Sequence, residues 1–323
     1  MAASRNNPSS SIPARVAAFL AAREAGGGLL SVGLSGGCDS VVLLHVLVEL
    51  GLGDRLRPIH VHHGLSSNAG YWAAFCQDYC RRLGISCQVA HVSVERDSGL
   101  GLEAAARASR YQAFSGIAAE TLLLGHHQGD QAETLLFNLL RGAGVTGAAG
   151  IPAERRLGPQ RILRPLLDVS RRDIEAYARA AQLQWIDDES NADTALSRNY
   201  VRHEVLATLA DRFPAAERNL AQAASHFAEA DVLLGELALI DWRAAADGDA
   251  LVMAKIREMS GARIRNLLRF RLRQLGWQVP VAARLDEFVR QLLSSGPDRH
   301  PGLDLAEGRM AVRQGRLHWL EQG

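Results

Sequence analysis

Lysine is nearly absent from this 323-residue chain: Lys255 stands alone, and every other basic residue is arginine. A phosphate-binding loop of the GxxxxGK[ST] kind needs a lysine beside its glycines, so that class is excluded. Cysteine is scarce too. Cys38, Cys76, Cys80 and Cys87 contain no CxxC pair, which gives no disulfide framework and fits a reducing compartment. No apolar run is long enough to span a bilayer. Val16–Ala22, between Arg15 and Arg23, is short for a signal-peptide core and reads as a first amphipathic helix. The expected location is therefore cytoplasmic, with no membrane partner. Charge of one sign is also lacking: a net +1 neither demands nor forbids a polyanionic partner, since a local basic face can sit on a neutral protein.

What is present suits a soluble globular protein: 47% hydrophobic and 22% charged residues, at a length that allows two domains. The polar stretch Met1–Ser11 is expected to be disordered. Strand-like and helix-like segments then alternate. Strands are expected at Leu29–Leu34, Arg57–His62, Ile85–Val94, Thr121–Leu124 and Arg161–Leu163. Helices are expected at Ser40–Leu50, Tyr71–Leu83, Leu102–Ala118, Gln131–Leu140 and Ser170–Gln182. This alternation predicts an α/β fold with a parallel sheet of the five-stranded type and helices on both faces. Ligands of such sheets bind beyond the carboxyl ends of the strands. After Arg198 the pattern turns helical, with segments over Asn199–Phe213 and Ala215–Ile240 and a strand-like end at Arg316–Leu320. A boundary near Phe213–Pro214 divides a catalytic domain, 1–213, from a smaller, mainly helical domain, 214–323.

Ser35-Gly36-Gly37-Cys38-Asp39-Ser40 lies between the first strand and the following helix. Glycines there let the backbone approach a ligand, and a helix N-terminus offers N–H groups to an anion. The bland alternative is a tight turn in which Ser40 caps a helix. The segment resembles the SGGxDS loop of the PP-loop ATP pyrophosphatases, which implies ATP binding by Ser35, Gly36, Gly37, Cys38, Asp39 and Ser40. Asp39 beside the phosphates is then a direct or indirect Mg²⁺ contact.

Further segments narrow the resemblance. Ile59-His60-Val61-His62-His63-Gly64-Leu65, Glu103-Ala104-Ala105-Ala106-Arg107 with Arg110-Tyr111, and Gly125-His126-His127-Gln128-Gly129-Asp130-Gln131-Ala132-Glu133-Thr134 come first. Arg164-Pro165-Leu166-Leu167, Trp185 to Asn191, and Arg198-Asn199-Tyr200-Val201-Arg202 come after them in order. As an ordered set they resemble the tRNA(Ile)-lysidine synthetases, strongly from Leu29 to about Leu209 and more weakly beyond. One position departs: Gly129 stands where the family's H-x-x-D-D-x-x-E-T motif has its first aspartate.

The resemblance implies a reaction. ATP adenylates O2 of the wobble cytidine in a tRNA(Ile) with a CAU anticodon, releasing pyrophosphate; free L-lysine then attacks C2 through its ε-amine and displaces AMP. Asp39, Asp130 and Glu133 are the catalytic candidates. Asp130-x-x-Glu133 is equally a helix-capping pattern. His60 joins the ATP-binding set. His63, Arg107, Arg110, Arg198, Asn199 and Arg202 are candidates for tRNA contacts, against the alternative of solvated arginines. His60, His62, His63, His126 and His127 could suggest zinc, but no cysteine or carboxylate completes a known spacing; hydrogen bonding around the nucleotide is preferred. In the second domain, Arg263, Arg265, Arg269, Arg271 and Arg273 on one predicted helix could grip an RNA backbone or form a solvated face. No motif decides between a monomer and a homodimer.

Three rival readings have their own markers. A tRNA thiolase of the same superfamily would need catalytic or cluster-binding cysteines. A small-molecule amide-forming synthetase would not need the basic second domain. A non-catalytic RNA-binding protein would not need an intact Ser35–Ser40 loop.

Overall fold

A computed structural model describes residues 11–25, 27–64, 66–94, 102–117, 119–189, 193–194, 197–296 and 299–321, with only the backbone of 102–104. The expectations for Met1–Ser10, Gly26, Leu65, Ser190 and Asn191, and for the side chains of Glu103 and Ala104, lie outside the described residues. The chain forms two compact units, Met1–Ala228 and Glu229–Gly323.

In the first unit, helix α1 (Ile12–Ala21) is capped by Ser11 and buries Ile12, Val16 and Leu20. Strand β1 (Leu30–Gly33) leads into helix α2 (Cys38–Glu49). Then come β2 (Leu56–His62), α3 (Ala69–Arg82), β3 (Gln88–His91), α4 (Leu102–Ser115), β4 (Thr121–Leu123) and α5 (Gln128–Leu140). A short α6 (Val145–Ala148), strands β5 (Glu154–Leu157) and β6 (Gln160–Leu163), and α7 (Arg171–Ala180) come next. Beyond residue 197 lie α8 (Ser197–Tyr200), a wide π-helical turn over Val201–Leu206, α9 (Ala207–Arg212) and the long α10 (Ala216–Ala245).

The sheet order is β3-β2-β1-β4-β6-β5. Five strands are parallel, as expected, and each crossover carries helical segments because parallel neighbours cannot be joined by a tight hairpin. The sixth strand is an addition. Glu154–Leu157 pairs antiparallel with β6 through a turn at Gly158, whose φ is +56°. The strand order reverses between β1 and β4, so the crevice beyond their carboxyl ends is the topological switch point. Helix α2 is buried nearly all round, through Val41, Val42, Leu43, Leu44, Val46 and Leu47. It packs on β1, α1 and α7, and a helix apolar on every side belongs inside a core.

The compact units divide later than the expected Phe213–Pro214 boundary. Leu220, Ala223, Ala224 and Phe227 of α10 pack with Leu135 and Ala148, so the first turns of this helix share the core of the first unit.

The second unit holds the rest of α10, α11 (Met253–Ile256), α12 (Gly261–Gln274) and α13 (Ala282–Ser294). To these helices it adds a sheet that the sequence reading had reduced to one terminal strand. Its order is β7-β8-β11-β10-β9, from Ala246–Asp247, Ala250–Val252, Gly302–Asp304, Gly308–Arg313 and Arg316–Glu321 in chain order β7, β8, β9, β10 and β11. Ile264, Leu267, Leu268 and Leu272 of α12 are buried at helical spacing, with Leu285, Phe288, Val289 and Leu292 of α13 in the same core. The arginines of α12 are mostly neutralised within the unit. Arg263 pairs with the buried Asp241, Arg265 with Asp286, Arg271 with Asp249 and Arg273 with Asp231. Arg269 pairs with no carboxylate among the described residues. Four of the five arginines expected as a cationic stripe are thus paired with carboxylates, mostly at the surface of the unit.

Candidate active site

The glycine turn fills the switch point. Gly36 has a φ of +92°, a region that favours glycine, and a β-carbon there would lie 3.0 Å from Ile186 Cδ1. The Ile186 N–H donates to Gly36 O at 2.9 Å, fastening the segment around Ile186 over the loop. Ser35 and Ser40 hold the loop from inside. Ser40 Oγ accepts from the Ser35 N–H and donates to Gly37 O; Ser35 Oγ accepts from the Gly37 N–H. Gly37 caps α2 without any side-chain hydrogen bond, so the first-turn N–H groups of α2 are aimed outward at a place suited to an anion. A cavity of about 370 Å³ opens there. Its lining includes Ser35–Ser40 except Gly36, then His60, His63, Arg110, Gly125–His127, Asp130, Arg171, Ile186–Asp188 and Arg202.

Three side chains meet on one side of this cavity. His127 caps α5: its Nδ1 accepts from the Gly129 N–H at 3.0 Å, while its own N–H donates to Asp130 Oδ2 at 2.9 Å. An accepting Nδ1 leaves the ring proton of the neutral form on Nε2. That nitrogen lies 3.8 Å from both Asp39 Oδ2 and Asp130 Oδ2. Asp39 Oδ1 is buried with no hydrogen-bond partner. Burial raises the pKa of Asp39, against the pull of His127. A buried, unpartnered carboxylate oxygen is costly on its own and suits a cation. Among the described residues no cluster of three or more metal-ligating side chains exists, so a cation here would need substrate oxygens as well.

Asp130 and Glu133 share two arginines. Glu133, 2% exposed, receives Arg198 Nε on Oε2 at 3.1 Å, Arg202 Nε on Oε1 at 2.5 Å and Arg202 Nη2 on Oε2 at 3.1 Å. Asp130 Oδ1 takes Arg198 Nη2 at 3.3 Å and Arg202 Nη2 at 3.5 Å. Burial by itself raises the pKa of Asp130, but the pull of His127, with Arg198 and the His127 backbone N–H, outweighs it and holds the carboxylate ionised. With both oxygens occupied by guanidinium groups, Glu133 anchors Arg198 and Arg202. Those arginines sit beside Asp130 rather than standing free for RNA.

The other expected residues divide. His60 is buried, with Nδ1 against Leu34 O at 2.9 Å; Nδ1 is the donor, since the carbonyl can only accept. His63 lines the cavity with its Nδ1 buried and unpartnered. Arg110 also lines it. Arg107 instead lies over the Tyr111 ring, 5.2 Å from its centroid. Asn199 donates to Asp193 O and is not part of the cavity wall. Arg164, Arg171 and Ile186 escaped the sequence reading as site residues. Arg164 and Ile186 carried a signal, through their places in Arg164-Pro165-Leu166-Leu167 and in Trp185 to Asn191, and Arg171 carried none.

These histidines set the acid side of stability. Burial pushes His60 and His63 below the usual histidine range and His126 down to about 3. The unfolded value is 6.5. Between the folded and unfolded values the unfolded chain binds more protons, so stability falls as pH drops below about 6.5. Asp130, held low, keeps its contribution until pH falls through the carboxylate range. Asp39, held high, acts in the opposite sense between 3.8 and its folded value. The urea midpoint is expected to fall between pH 7 and pH 5, with a smaller drop in His126→Gln. A midpoint independent of pH over that range refutes the neutral, buried ring.

A family profile described as the PP-loop domain matches residues 8–209, and one described as the TilS substrate binding domain matches 251–318. The tRNA(Ile)-lysidine synthase of Aromatoleum aromaticum is 47% identical over 95% of this chain and 71% of its own length. That of Pseudomonas aeruginosa is 43% identical over 92% of this chain and 70% of its own. The chain belongs to the tRNA(Ile)-lysidine synthase family. It spans about 70% of the length of these curated relatives. The U34-tRNA thiolase NcsA from Methanococcus maripaludis shares the fold, with a TM-score of 0.54, 17% identity, and coverage of 68% of this chain and 78% of that one.

Against the lysidine synthase motif, Gly129 now has a physical setting. A β-carbon there would lie 2.8 Å from His127 Cε1, 3.1 Å from His127 Nδ1 and 3.3 Å from Glu217 Oε1. An aspartate would push the His127 ring and meet the Glu217 carboxylate. Gly129→Asp is therefore expected to lower stability by about 1–3 kcal/mol, the usual range for overpacking. Chemical denaturation measures it, and an unchanged midpoint would show that the His127 ring is free to move.

Proposed function

We propose that this chain uses ATP and free L-lysine to convert the wobble cytidine of the CAU anticodon of tRNA(Ile) to lysidine, in the cytoplasm. The observation that carries this reading is the facing of Asp39 and Asp130 across His127 at the anion-binding end of α2, in a chain of this family. O2 of the cytidine attacks the α-phosphorus of ATP, and pyrophosphate leaves onto the α2 N-terminus. The ε-amine of lysine then attacks C2, the C2–O2 bond breaks, AMP departs with the oxygen, and the amine sheds its extra protons. Adenylation turns a poor leaving group into a good one. Asp39 would hold Mg²⁺, which supplies charge neutralisation on the phosphates. The orphaned Asp39 Oδ1 and the scarcity of other ligands fit a metal that completes its sphere with phosphate oxygens.

Asp130 would receive the lysine ammonium. It stays ionised and lines the cavity, where Glu133 does not. Glu133 is assigned to holding Arg198 and Arg202, which frame the Asp130 carboxylate. His60, His63 and Arg110 would border the nucleotide or the flipped base, and the second unit would contribute to holding the tRNA.

Cysteine chemistry finds no support among the thiols of the core. Burial pushes the Cys38 thiol up to about 12 and raises Cys76 as well, and a thiol held protonated is a poor nucleophile or cluster ligand. The test is transfer of labelled lysine to an unmodified tRNA(Ile) transcript with a CAU anticodon. Transfer that requires ATP and releases AMP and pyrophosphate is expected. ATP turnover with sulfur or small-molecule acceptors and none with lysine overturns the assignment.

A further inference from the structure

Arg164, which follows β6, is only 1% exposed and is the largest of the fully buried side chains among the described residues. A buried guanidinium ordinarily sits against a carboxylate. This one has no carboxylate partner among the described residues. Its Nη1 donates to Pro152 O at 2.7 Å, its Nη2 to Tyr111 Oη at 3.4 Å, and its Nε to His126 Nδ1 at 3.3 Å. Arginine has no lone pair to offer and does not deprotonate in proteins, so the contact with His126 has one polarity. The imidazole accepts at Nδ1, and its proton is forced onto Nε2.

His126 lies in the cavity wall, between Gly125 and His127 at the carboxyl end of β4. Gly125 lets this strand end close on α2: a β-carbon there would lie 3.0 Å from Asp39 O and 3.2 Å from the Ser40 nitrogen. Residue 125, next in the chain to His126, thus touches the first turn of α2, and His126 lines the same cavity as that turn, the seat proposed above for the pyrophosphate.

We propose that Arg164 is a positioning residue that locks His126 in its Nε2–H tautomer, so that His126 gives the phosphates of bound ATP a neutral hydrogen-bond donor. This rests on the reading of the cavity as the nucleotide site. The charged groups facing the ring are Arg164 itself, Arg107 of α4, Asp130 of α5 and Arg198 of α8. Three cations to one carboxylate, together with burial, oppose protonation. The arrangement has a use in a site where ammonium and phosphate must both be handled. A charged imidazolium would compete with the incoming lysine for Asp130, whereas a neutral N–H donor stabilises charge developing on a phosphate oxygen without doing so.

The tautomer is read directly by long-range ¹H–¹⁵N spectra of the whole chain labelled at histidine, with the His126 signals assigned by their loss in His126→Gln. The expected wild-type pattern is a protonated Nε2 and a bare Nδ1, unchanged from pH 8 to pH 5.5. Arg164→Met is expected to show mixed tautomers and a His126 that titrates near the ordinary histidine range. Its kcat for lysine transfer gains an acid limb and falls about 10²-fold at pH 6, the size expected for loss of one oriented donor, while KM for ATP moves less than about threefold. In a His126→Gln background the Arg164→Met change adds no acid limb, because an amide N–H does not titrate. If Arg164→Met does not fold, Arg164→Lys, which can still donate, is expected to retain the wild-type tautomer and pH profile. A wild-type ring that carries its proton on Nδ1, or titrates above pH 5.5, overturns the proposal. So does an Arg164→Met enzyme with the wild-type pH profile. The spectra need no substrate, so failure of lysine transfer in the wild type would count against the proposed function and leave the tautomer lock standing.

Discussion

Asp39→Ala lowers lysine transfer by about 10²–10³-fold, the scale set by removing one preorganised electrostatic element from a transition state. The loss falls on the adenylation step, measured as pyrophosphate released in a single turnover. Asp39→Asn separates shape from charge. It keeps the side chain in the turn at the start of α2 but supplies no negative charge for a cation, and its defect is expected to match that of alanine. If Asp39→Asn retains more than about a tenth of wild-type activity, the unpartnered Oδ1 is not a cation contact and the proposed Mg²⁺ role fails.

Glu133→Ala is the variant with the largest expected effect on stability. It removes the one carboxylate that bonds both Arg198 and Arg202, leaving two part-buried guanidinium groups to share Asp130. Breaking a buried ion pair from one side costs about 3–5 kcal/mol, which equilibrium denaturation would report as a lower midpoint. Glu133→Gln keeps the shape but presents an NH₂ to one arginine, so it loses part of the same stability. A catalytic base would behave otherwise: Glu133→Gln would fold as stably as the wild type and fail only in the lysine step. The ratio of stability loss to rate loss in this one variant distinguishes an anchor from a base.

The chain announces its first turn openly and conceals the groups that face it. The β1–loop–α2 passage was legible because an apolar run, a glycine pair and a second apolar run occur in sequence, with each signal local. The carboxylate motif was legible as a motif but not as an arrangement. Asp130 and Glu133 read alike in sequence, one turn apart on a helix start. Only the return of Arg198 and Arg202 from a distant segment fills the oxygens of Glu133 and leaves Asp130 in the cavity wall. The sequence places the start of α5 three residues late, at Gln131, because histidine is an uncommon cap and His127 does not announce one. Strand β5 was missed since Glu154-Arg155-Arg156 has no apolar alternation. It is an edge strand whose exposed charges guard it against further pairing. The arginines of α12 were visible in number, and their aspartate partners were not, because Asp231, Asp241, Asp249 and Asp286 come from other segments.

The wide turn at Val201–Leu206 has an evolutionary side. A π-helical turn holds one residue more than an α-helical turn and is the form a single-residue insertion takes inside a helix. Since each helical residue advances the face by about 100°, such an insertion rephases the downstream helix while leaving upstream residues where they were. Here Arg198 lies before the turn and Arg202 within its first residues. Deleting one residue among 203–206 should therefore spare the arginine pair and rotate α9 instead, so homologous chains could gain or lose a residue at this point without disturbing their chemistry.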